Sequence, residues 1–336
     1  MKNVKIGIAS FAHIHAFSYL EVLKSMEGVD ILSFCDLDPA RAKQVETTHR
    51  ISNIDSYESL VSNDDLDAIL VTTENLYHVD VALQAFENGK DVIVEKPIAT
   101  TLQDAQKMID ASIKHGQRLF QCYPCRYHPS AQHVKELIES GQLGDIKGMT
   151  ATNHGCMPDH TNPATAWFSN KKLAGGGAVM DHTTHVADLL FWFTGWEPKH
   201  IFGIAKNLFY PEIDSDDAGM VLVNYGNGVS ASIDPSWSRP VAFPTWGDLT
   251  MTIYGSSMTV EIDMFNQNFN LFSNSSKKSA QLHSFSSNVD ENMLAAYINA
   301  MRTGDDPPVN GKDGYNALKV ALKAYESNDA NKVVDW

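Results

Sequence analysis

Lys96, Asp181 and His185 are the residues of this chain whose types and neighbours best suit acid–base chemistry. Lys96 stands in Glu95-Lys96-Pro97, directly after the apolar run Val92-Ile93-Val94. Asp181 and His185 are four apart, so on a helix they share one face. Val186, Leu189, Leu190 and Phe193 supply the apolar stripe that such a helix would pack. A carboxylate beside an imidazole orients and tunes a general base. Each pattern also has a plain structural reading. Glu95 and Lys96 read equally well as a strand-end pair on the surface. Asp181 and His185 read as a helical surface pair worth about 0.2–0.5 kcal/mol.

The elements that must position these groups are legible. Asp91 to Val94 follows the turn signal Asn88-Gly89-Lys90 and reads as a buried strand that Pro97 stops. In an open α/β sheet the carboxyl ends of the strands face the ligand crevice, which is where Lys96 falls. Gly175-Gly176-Gly177 opens the helix that carries Asp181 and His185. Through residue 122 the chain alternates strand patterns near 3–9, 29–35, 67–72, 91–94 and 118–122 with helical ones near 14–26, 39–48, 76–88 and 101–115. That alternation implies a parallel sheet with helices on both faces. A helix near 129–140 ends at Gly141. Strand patterns then cluster at 146–154, 199–207, 218–225, 228–234, 249–254 and 258–263, with few helices between them. The second half therefore reads as α+β with a largely antiparallel sheet. The Ser/Asn-rich stretch from Asn270 to Ser287 reads as a loop or an exposed edge.

The 336 residues suffice for two domains, divided as 1–122 and 123–336. Charged residues make up 20% and hydrophobic ones 43%, as in ordinary globular chains. A net charge of −15 without a basic cluster argues against nucleic acid and anionic membranes as partners. No leader-like or membrane-spanning apolar run is evident, so a cytoplasmic location is expected. The four cysteines are then expected reduced.

Taken together, the motifs resemble the glucose–fructose oxidoreductase/inositol dehydrogenase/rhizopine-catabolism (Gfo/Idh/MocA) family over nearly the whole chain. The resemblance rests on Lys5-Ile6-Gly7-Ile8, Asp36 at a strand end, His78 leading to Gly89-Lys90, and Glu95-Lys96-Pro97. It continues through Cys125-Arg126-Tyr127-His128-Pro129, Trp167, Gly175-Gly176-Gly177 with Asp181 and His185, and a closing helix near Tyr315 to Ser327. It implies an α/β N-terminal Rossmann domain followed by an α+β domain with a large, mostly antiparallel sheet. It also implies hydride transfer between NAD and a secondary alcohol of a sugar, cyclitol or related polyol. In that reading Lys96 lies beside the nicotinamide and hydrogen-bonds the reacting hydroxyl. His185 removes its proton, and Asp181 holds the substrate or orients the imidazole. Arg126, His154, Trp167 and His182 are candidates for the substrate wall. Cofactor contacts fall to Ser10, Phe11, Ala12, His13, Asp36, Thr73, Asn75, His78, Glu95 and Lys96. The family implies a homodimer or homotetramer through the second-domain sheet. Apolar residues on both faces of Met220-Val221-Leu222-Val223 and Leu249 to Tyr254 agree, unless loop 264–287 covers that sheet instead.

The chain departs from the family in places. Where G-x-G-x-x-G is expected after the first strand, it has Ser10-Phe11-Ala12-His13-Ile14-His15. Small residues and a helix N-terminus still allow a phosphate to approach, and His13 or His15 can add a donor. Asp36 is placed to hydrogen-bond the adenosine ribose and to favour NAD over NADP. Arg41 lies nearby with Asp38, itself an ordinary helix N-cap candidate. Glu74 replaces a usual proline, and His182 adds an imidazole. Cys122 and Cys125 form a lone C-x-x-C, read as a linker. Without H-E-x-x-H spacing no metal is expected. Two rival functions remain at this level. One is a non-catalytic regulator that binds dinucleotide or sugar; the other is a glycoside hydrolase working through transient oxidation by NAD.

Overall fold

The computed structural model describes residues 3–266, 268–271, 281–284 and 288–336. The first part alternates β1 (Val4–Ala9), α1 (His15–Ser25), β2 (Val29–Cys35), α2 (Pro39–His49), β3 (Ser52–Asn53), α3 (Tyr57–Val61), β4 (Ala68–Val71), α4 (His78–Glu87), β5 (Asp91–Val94), α5 (Leu102–His115) and β6 (Leu119–Gln121). The strands form one parallel sheet in the order β3-β2-β1-β4-β5-β6. β4 and β5 are buried at every position, as strands covered on both faces must be. The order reverses between β1 and β4, so the ligand crevice of an open sheet falls outside their carboxyl ends. The segments after β1, β2, β4 and β5 meet there. β3 and α3 are too short to leave a periodic pattern in the sequence.

The chain continues through α6 (Pro129–Glu139), β7 (Ile146–Cys156), α7 (Lys171–Ala174), α8 (Ala178–Thr194), β8 (Pro198–Lys206), β9 (Ala218–Tyr225), β10 (Ser230–Arg239), β11 (Gly247–Gly255), β12 (Thr259–Asp263), β13 (Asn268–Leu271), β14 (Gln281–Ser284), α9 (Val289–Thr303), α10 (Gly311–Ala330) and β15 (Val334–Asp335). The large sheet runs β12-β11-β7-β10-β9-β8-β15. Only β7 and β10 pair in parallel, so the sheet is mostly antiparallel. α8 packs on one face, over β7, β9 and β10, and α10 packs on α8 and β8. On the other face Ile204, Met220, Leu222 and Tyr254 are exposed. β13 and β14 pair with each other. The rest of the Ser/Asn-rich stretch, and so the reading of it as a cover for the sheet, lies largely outside the described residues.

One strand's extent and one helix stand out against the sequence reading. β10 continues through Pro235 to Arg239, because there it pairs with β7, Pro235 standing opposite Asn153. α9 was not anticipated. It lies against α1, and Tyr297 packs on Phe120 at 5.2 Å between ring centroids. α10 starts beside β6, where Gln121 N–H donates to the Val309 carbonyl at 3.0 Å. Among the described residues, no helix is long and apolar enough to cross a membrane.

Candidate active site

The loop after β1 is built without the expected glycines. Ser10 takes φ +73, the left-handed conformation that glycine usually supplies. The strain is matched by local bonds. The Ser10 hydroxyl and the Phe11 N–H donate to Asp36 Oδ2 at 3.3 and 2.8 Å. Thr72 Oγ1 donates to the Ser10 carbonyl at 2.7 Å, and His13 N–H to the Thr72 carbonyl at 3.0 Å. Phe11 points into the core, 5.1 Å from Phe17 and 5.4 Å from Phe34. Asp36 is bound twice by Arg41, and Asp38 caps α2 through the Arg41 N–H at 2.8 Å. The carboxylate expected at a ribose thus also anchors its own loop.

At the end of β4, Thr73 is fully buried and its carbonyl lies 3.2 Å from His78 Nε2. His78 Nδ1 lies 3.0 Å from the Pro97 carbonyl, so this imidazole ties the ends of β4 and β5 together. Asn75 donates from Nδ2 to the Ala174 carbonyl at 2.9 Å, while its buried Oδ1 has no partner. Trp167 Nε1 donates to the Ala12 carbonyl at 3.1 Å, and its ring stacks on Phe168 at 3.9 Å. The aromatic pair lies over the β1 loop, with Phe168 5.1 Å from His13.

Glu95 is fully buried at the end of β5. Its Oε1 accepts from Tyr19 at 2.6 Å and lies 2.7 Å from His15 Nδ1. Burial disfavours the charged carboxylate, but His13, His15 and Lys96 outweigh it and hold Glu95 well below the usual range. His13, His15 and Glu95 bring three possible metal-ligand atoms within 4.8 Å of one another. Tyr19 and His15 already share the carboxylate oxygen, so the cluster is a closed hydrogen-bond network as it stands.

Lys96, beyond Glu95, reaches across to α8. Its Nζ pairs with Asp181 Oδ1. Asp181 Oδ2 accepts from Trp237 Nε1 at 3.1 Å and lies 3.2 Å from His182 Nε2. His182 Nδ1 is 2.6 Å from the Asn153 carbonyl, which fixes that ring. Burial raises the Asp181 carboxyl, but Lys96 and His182 outweigh it and keep the group ionised far below its ordinary value. Burial and the Lys96 charge push His185 well below the ordinary histidine value. Its ring is therefore held in the neutral form. Its Nδ1 has Cys125 Sγ as neighbour at 4.0 Å.

The position of α8 explains the glycine run. A Cβ on Gly177 would stand 1.8 Å from the Asp216 carbonyl oxygen. Asp216 takes the N–H groups of Gly177 and Val179 at 3.0 and 2.7 Å, capping the helix from outside, and Tyr325 steadies it at 2.7 Å. The first turn of α8 is thereby held to the segment before β9 and to α10, while Lys96 ties it to the end of β5. A cavity of about 260 Å³ joins His13, His15, Lys96, Asp181, His182 and His185, with Cys125, Asn153 and Trp246 in its wall.

Two candidates for the substrate wall lie elsewhere. Arg126 is buried in a double bond to Asp188, at 2.8 and 2.6 Å, and reaches Asp313 at 3.0 Å. It joins α8 to α10. His154 points to the opposite face of the sheet, between Asp248 and Asp234, each at 3.2 Å. Its neighbour Asn153 faces the cavity instead, because successive strand residues alternate sides. Trp237, in β10, and Trp246, just before β11, carried no sequence signal; aromatics without a motif read as core.

Residues 4–123 match the oxidoreductase family with an NAD-binding Rossmann fold, and residues 131–261 match the Gfo/Idh/MocA C-terminal domain. The chain belongs to the Gfo/Idh/MocA oxidoreductase family. A 1,5-anhydro-D-fructose reductase of Ensifer adhaerens is 26% identical over 303 residues, covering 88% of this chain and 87% of the relative. An inositol 2-dehydrogenase of Salmonella typhimurium is 23% identical over 242 residues, covering 69% of this chain and 67% of the relative. Scyllo-inositol dehydrogenase from Lactobacillus casei, solved with NAD(H) and scyllo-inositol, superposes with a TM-score of 0.82 at 20% identity, covering 99% of each chain. As in other Gfo/Idh/MocA proteins, the nucleotide-binding half is a parallel Rossmann sheet and the second half carries the mostly antiparallel one.

Proposed function

We propose that this protein is an NAD-dependent dehydrogenase that oxidises, reversibly, a secondary alcohol of a sugar, cyclitol or related polyol. The observation that carries the reading is the meeting of Lys96, from the end of β5, with Asp181, from the first turn of α8, in a cavity that His185 also lines. A binding module has no need of a buried ammonium, a carboxylate and a neutral imidazole in one place.

The chain's residues fit a dinucleotide. Ser10 gives the backbone turn, Asp36 lies at the ribose end, and Asn75 offers a buried acceptor without a partner. Bound NAD would accept the hydride from the carbinol carbon; the remaining tasks belong to the protein. Lys96 donates a hydrogen bond to the reacting oxygen and offsets the negative charge that grows there. His185 takes the hydroxyl proton. Asp181 orients Lys96, while Trp237 and His182 hold Asp181. Trp167 and Phe168 cover the cofactor loop and exclude water from it. The relatives that act on inositol and anhydrofructose support the substrate class.

The exposed apolar side chains Ile204, Met220, Leu222 and Tyr254 support a further part of this reading, a homodimer or homotetramer joined through the open sheet face. The deciding experiment is a panel of polyols and sugars offered with NAD, followed by the absorbance of reduced nicotinamide. Absence of reduced cofactor with every compound, from protein that binds NAD, would return the regulator as the better account.

A further inference from the structure

A second cavity of about 640 Å³ adjoins the first, and the two share Ile14 and Trp246. Its walls come from the 156–165 segment after β7, from Tyr210, and from the segment between β10 and β11. The first cavity, about 260 Å³, lies below the ~300–1,000 Å³ usual for a small-molecule site, yet it must admit the nicotinamide as well as the reacting ring. Those two would fill it, so a further ring of the substrate would have to lie outside it. The second is larger and contains none of Lys96, Asp181 and His185.

Its lining combines flat apolar faces with unengaged polar atoms. Tyr210, Phe243 and Trp246 supply the faces. Asn162 Oδ1 accepts the Ala164 N–H at 3.0 Å, which fixes the side chain and leaves its NH₂ group without an internal bond among the described residues. The Tyr210 hydroxyl is likewise unengaged among them. A pyranose offers the matching chemistry: a C–H face to lie on an aromatic ring and hydroxyls around its edge. The passage between the cavities depends on Gly155. A Cβ there would stand 3.2 Å from Trp246 Nε1 and 2.6 Å from His182 Cε1, so the indole edge already abuts the catalytic wall. Glycine lets Trp246 lie there, with one edge in each cavity.

We infer that the second cavity binds a second sugar ring, and that the preferred substrate is a glycoside whose reacting ring sits at Lys96 and His185. This rests on the dehydrogenase reading above.

The test compares disaccharides (maltose, cellobiose, trehalose) with glucose and myo-inositol, using NAD and the natural protein. At least one disaccharide should exceed both single rings in kcat/KM by about tenfold or more, a difference of ~1.4 kcal/mol. Tyr210→Ala and Asn162→Ala should each lower that ratio, mainly by raising KM for the disaccharide. Preference for the single rings, or a ratio indifferent to both substitutions, would overturn the inference while leaving the dehydrogenase intact. If no compound reduces NAD, the dehydrogenase reading fails, and calorimetric titration of the same disaccharides into the NADH-loaded protein decides the cavity. Binding weakened by Tyr210→Ala sustains it; binding that is absent or unaffected refutes it.

Discussion

Arg41 closes on both carboxylate oxygens of Asp36, Nε at 2.6 Å and the terminal nitrogen at 2.9 Å. The same carboxylate takes the Phe11 N–H of the cofactor loop. An acid so placed meets a ribose 2′-hydroxyl favourably and a 2′-phosphate unfavourably. NAD should therefore be preferred over NADP, by about tenfold or more in kcat/KM, since opposed like charges cost several kcal/mol. Asp36→Ala removes the repulsion and releases Arg41, so the preference should move toward NADP. Steady-state kinetics with each cofactor on one substrate measures both. A clear NADP preference in the natural protein would mean the end of β2 has been misread.

Removing either member of the acid–base pair should abolish most turnover. Lys96→Ala and His185→Ala should each lower kcat by about 10²–10⁴-fold. NADH fluorescence titration should show cofactor binding retained in His185→Ala, because His185 lies on α8 and not on the Rossmann loops. Burial and Lys96 hold His185 well below its ordinary value, so it remains unprotonated as the pH falls from 8 to 6. Alcohol oxidation should lose little rate to this group over that interval. A protonation limb near pH 6.5 that disappears in His185→Ala would contradict the depressed value.

Buried between Asp188 and Asp313, Arg126 should support the fold more than the substrate. Burial raises the Asp188 carboxyl to about 6 even with Arg126 lowering it. Arg126→Ala strands that carboxyl and should cost about 3–5 kcal/mol. Denaturant unfolding reads this directly. Arg126→Met, which fills the space but cannot pair, should be nearly as damaging. A loss confined to substrate KM at full stability would restore Arg126 to the substrate wall.

His154 gives the stability a slope on the alkaline side. Burial lowers its value, but hydrogen bonds to Asp234 and Asp248 outweigh this and raise it from 6.5 to about 9. A group raised in the folded state stabilises fully below its unfolded value and loses that contribution as pH rises through the folded one. Thermal stability should accordingly fall between about pH 6.5 and 9. His154→Gln should be less stable at pH 6 and should flatten that slope. An unchanged slope would remove His154 as its source.

The open sheet face should make the protein an oligomer. Light scattering at micromolar concentration should give a multiple of 37.1 kDa. Leu222→Lys, on the exposed face of β9, should shift the mass toward the single chain. A single-chain mass for the natural protein would refute assembly through this sheet.

The candidate residues that meet in the cavity were legible because their motifs are short and local. Glu95-Lys96-Pro97 announces itself at a strand end, and Asp181 and His185 by helical spacing. His154 was misplaced because strand parity is invisible until the covered face of the sheet is known. One residue's shift exchanges His154 for Asn153. Arg126 was misread because its partners, Asp188 and Asp313, are 62 and 187 positions away in the sequence. Trp237, which steadies Asp181, likewise acts only through the tertiary fold. β3 and α3 were too short for periodicity to register. α9, which directly follows the Ser/Asn-rich stretch read as a loop or edge, was not anticipated.

The last two helices bear on how the molecule comes apart. α9 rests on α1, and α10 touches α5 and β6 on one side and α8 and β8 on the other. Gly311 lets α10 approach so closely that a Cβ there would stand 2.7 Å from a methyl of Leu119. Excised alone, the Rossmann half would bare the apolar surface that these helices cover, including Leu119 and Phe120. The nucleotide-binding half is thus no self-contained module: a cut before α9 would sever from it the helices that cover its own apolar surface.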